Sequence, residues 1–220
     1  MMFDMHVHTL HSPKCGWMRP ERLVERAIQK RLDGLAVTDH NTIDGAQEVI
    51  DIVRDKQIEL SVIIGEEIST DRGEVLAYFI NREIEPGSFA EVLTEIRRAG
   101  GISAIPHPFD KLRHHAVRLT SDDVGSFDCI EVFNARCLSK TYNDLAYNYG
   151  MVHDLAILAG SDAHFLNEVG NGGVITKRRD IREAIMKKDV IIFGHRSMVI
   201  NHAGTKVLKL VRSIWSHIYE

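Results

Sequence analysis

Short apolar runs alternate with amphipathic stretches of helical period along most of the chain. Phe3–His8 reads as a strand. Pro20–Leu32 follows as a helix, with Leu23, Val24, Ala27 and Ile28 on one face and Pro20 in the first turn, where its missing N–H costs nothing. Gly34–Thr38 predicts a second strand, and Asp44–Arg54 a second helix striped by Ala46, Val49, Ile50 and Val53. Leu60–Gly65 predicts a third strand, and Glu74–Ile80 another apolar run paired nearby. Ser88 is placed to cap a helix that runs to Ala99 and stops at Gly100-Gly101. Ile102–Ile105 and Cys129–Phe133 read as strands, Ser139–Tyr149 as a helix stopped by Gly150, and Ala156–Ala159 and Val174–Thr176 as strands. Asp180–Lys188 is a helix, Val190–Phe193 a last apolar run, and 205–220 a closing amphipathic helix carrying Val207, Leu208, Val211, Ile214 and Trp215.

Repeated strand–helix alternation predicts a mostly parallel α/β sheet, either a barrel or a doubly wound sheet. Neither GxGxxG after the first strand nor a Walker-type GxxxxGK[ST] occurs, so nucleotide-cofactor folds lack their fingerprints. The 220 residues contain no low-complexity linker, which predicts one domain over 1–220. The longest irregular segment, Asp110–Gly125, carries Arg113, His114, His115 and Arg118 and is a candidate loop over a site mouth.

Composition narrows the function classes. A 44% hydrophobic and 26% charged chain of net charge −4 is ordinary for a globular protein. It offers no broad basic surface for long nucleic acid. Cys15, Cys129 and Cys137 have no CxxC spacing and predict reduced thiols rather than a disulfide framework. The chain shows no signal-peptide core and no apolar run near the roughly 18 residues of a membrane span, so a cytoplasmic location is expected. The oddity is the count of 12 histidines, and their positions say more than their number.

Residues two apart on a strand share a face, so Asp4, His6 and His8 point the same way. Paired imidazoles supported by carboxylates suit Zn, Mn or Fe. Asp39 and His40 follow the second predicted strand, Glu66 and Glu67 the third, and His107 the strand Ile102–Ile105. Glu131 and Asn134 sit in and after Cys129–Phe133, and Asp162 and His164 follow Ala156–Ala159. Chance would scatter such groups over helices and both strand ends. Here they gather at C-terminal strand ends, where an α/β barrel assembles its site.

The series HVHT, TDHNTIDG, GEE, PHP, EVFNAR and GSDAH, in order from residue 4 to 164, resembles the polymerase-and-histidinol-phosphatase (PHP) superfamily of metal-dependent phosphoesterases. The resemblance implies a distorted (β/α)7 barrel, TIM-like and single-domain, with two or three divalent ions (Mn, Zn or Fe) at the strand C-termini. Carried across, His6, His8, Glu66 and Asp162 would hold one ion. Glu66 would bridge to a second held by His107 and Asn134, and His40 and His164 would hold a third. The family pattern HxHxxxSxD departs here, because Lys14 stands where Asp is expected. Three readings stay open: His11 substitutes as a ligand, the third site is weak or empty, or Lys14 meets a substrate phosphate instead.

Clustered divalent ions activate water and neutralise phosphate oxygens, which predicts hydrolysis of a small phosphomonoester or nucleotide phosphoester by a metal-bridging hydroxide, with Asp39, Glu66 and Asp162 as the catalytic carboxylates. Asp39 is read as orienting a histidine or accepting a proton, with orientation favoured. Glu67 is expected in packing or at the surface, because adjacent strand residues face opposite sides. The direction of Glu131 stays open. Arg136 is a candidate phosphate clamp beside Lys14. Two alternatives accompany this reading. One is a histidinol-phosphate phosphatase or short-oligonucleotide exonuclease, and the other a catalytically impaired metal-binding module.

Overall fold

In the computed structural model, which describes residues 1–13 and 15–207, three parallel strands open the chain: β1 (Met2–Val7), β2 (Gly34–Val37) and β3 (Ser61–Thr70). The helices α1 (Pro20–Gln29) and α2 (Asp44–Asp55) join them, as parallel neighbours require a crossover. β3 runs past its expected end at Gly65 to Thr70, then folds back as an antiparallel hairpin with β4 (Gly73–Tyr78). Helix α3 (Phe89–Arg98) starts from the expected cap: Ser88 Oγ accepts from the Glu91 amide, and Glu91 accepts in return from Ser88. β5 (Ile102–Ile105) pairs antiparallel to β4, and β6 (Cys129–Asn134) and β7 (Ala156–Gly160) continue parallel to β5, connected by α4 (Lys140–Val152). β8 (Gly172–Ile175), α5 (Ile181–Met186) and β9 (Ile191–Gly194) follow, with β8 antiparallel to β1 and to β9.

The sheet order is β7-β6-β5-β4-β3-β2-β1-β8-β9. Its two ends meet because β1 divides its partners. Met2 and Phe3 pair with β8, while Val7 pairs with Ala163 beyond β7 and the His8 amide donates to the Ala163 carbonyl at 2.9 Å. Gly160 makes this closure possible, since a Cβ there would lie 2.3 Å from the His6 Cβ. The result is a nearly closed, distorted barrel, the one of the two α/β arrangements left open by the alternation that the PHP resemblance implies.

Alternation along each strand sorts the core into layers. Met5, Ala36, Ile63, Leu76, Ala104, Cys129 and Leu158 form one apolar cluster drawn from all seven barrel strands. The opposite faces pack outward, Leu35 and Val37 with Leu23 and Val49 of α1 and α2, and Ile68, Val75 and Ile130 with Val92 and Ile96 of α3. Residues 199–207 are helical, so the closing helix starts before the predicted Thr205. The remainder of the expected 205–220 helix, and Lys14, lie outside the described residues. Among the described residues no helix is long and apolar enough to cross a membrane.

Candidate metal centre

β1 changes register between Asp4 and Val7, leaving Met5 in the apolar cluster while His6 and His8 project together. Their Nε2 atoms lie 3.1 Å apart, both rings fully buried. The hydrogen bonds on the other ring nitrogens set the tautomers. His6 Nδ1 donates to Glu131 Oε1 at 3.0 Å. Ser12 Oγ gives its proton to Asp39 Oδ1 at 2.7 Å, so it accepts from His8 Nδ1 at 3.2 Å. His164 Nδ1 donates to the Asp162 carbonyl at 2.9 Å. In the neutral tautomer that these contacts select, each of the three rings leaves Nε2 as the nitrogen with the lone pair.

Glu67, not Glu66, meets these nitrogens. Its Oε2 stands 3.3 Å from His8 Nε2, 3.5 Å from His6 Nε2 and 3.2 Å from His40 Nδ1, and its Oε1 is 3.3 Å from His107 Nε2. The assignment of Glu66 as bridging ligand and catalytic carboxylate is thus corrected. Glu67 has the parity of Ile63 in the barrel cluster, whereas Glu66 has that of Ile64 and Ile68 in the helix-facing layer. There Glu66 accepts from the Ile84 amide at 3.0 Å, and burial pushes its pKa up to about 7.

The same parity brings in a residue that the sequence reading passed over. Glu74 alternates with Leu76 and Tyr78 of the barrel cluster, and its carboxylate lies 3.6 Å from His40 Nδ1 and 3.9 Å from His107 Nε2. The signal was the period of two along Glu74–Tyr78, but the hairpin that swings this strand's start over the site was not visible.

Asp162 closes the other side. Oδ1 is 3.4 Å from His8 Nε2 and 3.4 Å from His164 Nδ1, while Oδ2 accepts from Arg113 Nη2 at 2.5 Å and Asn134 Nδ2 at 3.2 Å. Asn134, expected as a ligand, instead spends its amide on orientation: Nδ2 also donates to Glu131, and Oδ1 accepts from the Arg136 amide at 2.9 Å. Asp39, expected as catalytic, accepts from the Thr9 amide, Thr9 Oγ1 and Ser12 Oγ at 2.6–2.7 Å. It holds Ser12 against His8, an orienting role. Gly45 lets α2 approach, since a Cβ there would lie 2.0 Å from Asp39 Oδ2.

Arg136 is corrected from phosphate clamp to buried strut. Nη1 donates to Glu168 Oε2 at 2.9 Å, and Nη2 to Thr205 Oγ1 at 2.9 Å. His11 pairs with Glu48 on α2 at 2.5 Å and does not join the cluster. Asp4 is structural, accepting from the Ser161 and Gly170 amides, and burial raises its pKa to about 6.

The electrostatics ask for cations. Burial works against a charged His6, yet Glu131, Glu67 and Asp162 hold its pKa well above the usual imidazole range. Burial likewise opposes ionisation of Glu67, but His40 and His6 keep it far below the ordinary carboxylate range. Burial and then the neighbouring Glu67 push Glu74 well up. Glu67 Oε1 and both ring nitrogens of His107 are buried without a hydrogen-bond partner. His107 and Asp162 also sit at φ 32° and 53°, a left-handed backbone that costs energy outside glycine. Bare nitrogens and carboxylate oxygens facing one another repel unless a cation lies between them. Three overlapping donor sets result: His6, His8 and Glu67; His8, His40 and His164; and His40, Glu67 and Glu74. This donor chemistry fits divalent ions such as Zn, Mn or Fe.

A cleft of about 340 Å3 opens above the cluster. Glu67, Glu74 and Asp162 lie on its floor side, Arg113, Arg136 and Lys206 supply guanidinium and ammonium groups, and His114, His115 and His202 add imidazoles. The 110–125 segment therefore does border the mouth. It is tied down by the Arg72–Asp123 ion pair, a Tyr149 hydroxyl donating to the Thr120 carbonyl, and the Arg113–Asp162 pair.

Comparison with known proteins bears on the family and the fold. An uncharacterized protein of Methanocaldococcus jannaschii is 34% identical over 178 residues, covering 78% of this chain and 68% of that protein. The 5'-3' exoribonuclease Rnm of Salmonella typhimurium is 33% identical over 106 residues, 46% of this chain and 36% of the exoribonuclease. A solved two-domain protein from Bacteroides vulgatus, described as containing a predicted PHP-like metal-dependent phosphoesterase, superposes with a TM-score of 0.71 at 19% identity. That alignment covers 89% of this chain and 65% of the other. The family model described as PHP domain matches residues 4–202, and the chain belongs to the PHP domain family.

Proposed function

We propose that this protein is a metal-dependent phosphoesterase that hydrolyses a small phosphomonoester or nucleotide phosphoester. The observation that carries the reading is the convergence of His6 Nε2 and His8 Nε2 on Glu67 and Asp162, with His40 and His164 beside His8, beneath a cleft bordered by cations. His6, His8, His40, Glu67, His107, Asp162 and His164, with Glu74, would hold two or three divalent ions. When bound, such ions lower the pKa of water and neutralise phosphate oxygens.

The chain's own residues do the rest. Glu131 and the Asp39–Ser12 pair hold His6 and His8 in the tautomer that presents a lone pair to the centre. Arg113, paired to Asp162 Oδ2, is within the cleft and able to exchange this carboxylate for a phosphate oxygen. The buried floor keeps bulk water from the imidazoles, and the burial strengthens each charge interaction.

The partial likeness to the Rnm exoribonuclease favours a second reading within the same chemistry, cleavage of short oligonucleotides. One experiment separates the two. The full chain is purified, its bound metals are quantified, and phosphate release is measured with added Mn2+ from phosphomonoesters, nucleotides, histidinol phosphate and a short oligonucleotide. Phosphate release from the monoesters supports the main reading, and nucleotide release from the oligonucleotide the second. Tightly held metal with no turnover on any substrate would overturn both.

A further inference from the structure

The helix 199–207 reaches the cleft, yet the barrel chemistry above makes no use of it. His202 and Lys206 lie one helical turn apart on it and both line the cleft over the acidic cluster. Two observations mark them as more than lining. His202 Nε2 is buried with no hydrogen-bond partner, a costly state for a ring nitrogen that is not meeting a ligand. Lys206 is exposed, and among the described residues no acid pairs with it. Burial, Arg136 and Arg113 depress the His202 pKa to about 4, so near neutrality its ring is an uncharged donor and acceptor.

The helix is also held in register with the metal centre. Arg136 donates to Thr205 Oγ1 at 2.9 Å and to the Asn201 carbonyl at 3.5 Å, and its other nitrogen donates to Glu168 Oε2. That same carboxylate oxygen accepts from the His164 amide at 3.0 Å and the Phe165 amide at 3.2 Å. One buried strut thus joins the loop that carries His164 to the helix turn that carries His202 and Lys206.

We infer that helix 199–207 is the wall of the cleft that reads the leaving group: His202 hydrogen-bonds the substrate, Lys206 selects a leaving group bearing negative charge, and Arg136 positions both. The inference rests on the phosphoesterase reading for the word leaving group, but the wall can be tested by binding alone. The probes are phenylphosphonate and 4-carboxyphenylphosphonate, non-hydrolysable analogues that differ by one charge, titrated calorimetrically into the full chain loaded with Mn2+.

The wild type is expected to bind the carboxylated analogue several-fold tighter, as an added exposed or half-exposed ion pair allows. Lys206→Ala should abolish that preference and Lys206→Arg should keep it. His202→Gln should weaken both analogues alike, by roughly tenfold for a lost hydrogen bond to a charged ligand. Thr205→Val, which removes the hydroxyl that Arg136 grips, should shift both effects in the same direction with Mn2+ content unchanged. A wild type with no preference, or a preference that survives Lys206→Ala, overturns the inference. Hydrolysis of the matching phosphate esters is scored separately: binding with the expected preference but no turnover overturns the phosphoesterase reading and leaves the wall standing.

Discussion

Glu66 and Glu67 are consecutive on β3 and end on opposite sides of the barrel wall. Glu67 meets His8, His6, His40 and His107 within 3.5 Å, while Glu66 accepts from the Ile84 amide in the helix-facing layer. Their substitutions should therefore separate cleanly. Glu67→Gln is expected to lose bound metal and at least about a hundredfold in turnover, since it removes the charge at the middle of two donor sets. Glu66→Gln keeps an oxygen for Ile84 and should retain metal and activity. Metal analysis and kcat on both variants check this, and loss of metal in Glu66→Gln alone would reverse the assignment.

Glu131 acts on the centre through His6. Glu131→Gln replaces the carboxylate that accepts from His6 Nδ1 with a neutral amide, which loosens the tautomer that leaves Nε2 bare. Metal affinity, measured by chelator competition, should fall about 10- to 100-fold while the circular dichroism spectrum is unchanged. An unaltered affinity would show that the hydrogen bond does not steer the ring.

Arg136 separates a structural from a substrate role by stability. Arg136→Met leaves the Glu168 carboxylate buried without its cation, which costs on the order of 3–5 kcal/mol in urea unfolding. A phosphate clamp at the surface would instead raise KM with stability unmoved. The double variant Arg136→Met with Glu168→Gln should recover part of the loss.

The loop that borders the mouth carries a pH signature through Asp123. Hydrogen bonding from Arg72 lowers the Asp123 pKa from 3.8 to about 2. A carboxylate with a depressed folded pKa stabilises the fold above its unfolded value and loses that contribution as the pH falls through the folded value. Asp123→Asn should thus destabilise the protein by roughly 1 kcal/mol at neutral pH, a figure reduced for the partial exposure of Arg72. The gap between variant and wild type should close between about pH 4 and pH 2. A gap that stays constant over this window would exclude the ion pair as its source.

Much of the molecule is legible in its one-dimensional pattern. The strand–helix alternation gives the α/β class, the motif series from HVHT to GSDAH points to the barrel, and the gathering of His6, His8, His40, His107, Asp162 and His164 at strand ends locates the centre, because backbone periodicity and chain connectivity are local properties. The choice between Glu66 and Glu67 was within reach of the same period of two, had β3 been carried through to Thr70 with Ile63 as the inward reference.

Other roles depend on distances that no local pattern contains. Glu74 enters the site because β4 turns back antiparallel on β3. Arg136 is buried because Glu168 and Thr205, 32 and 69 residues away, converge on its guanidinium. Arg113 rather than Arg136 reaches Asp162 because the 110–125 segment folds over the mouth. By itself the sequence determined where the strands lie, the α/β class and the metal-binding character of the chain. Only the tertiary structure decided that Glu74 joins the imidazoles and that Arg113, not Arg136, reaches Asp162, since these meetings are set by the hairpin and by closure of the barrel and not by any residue's neighbours in sequence.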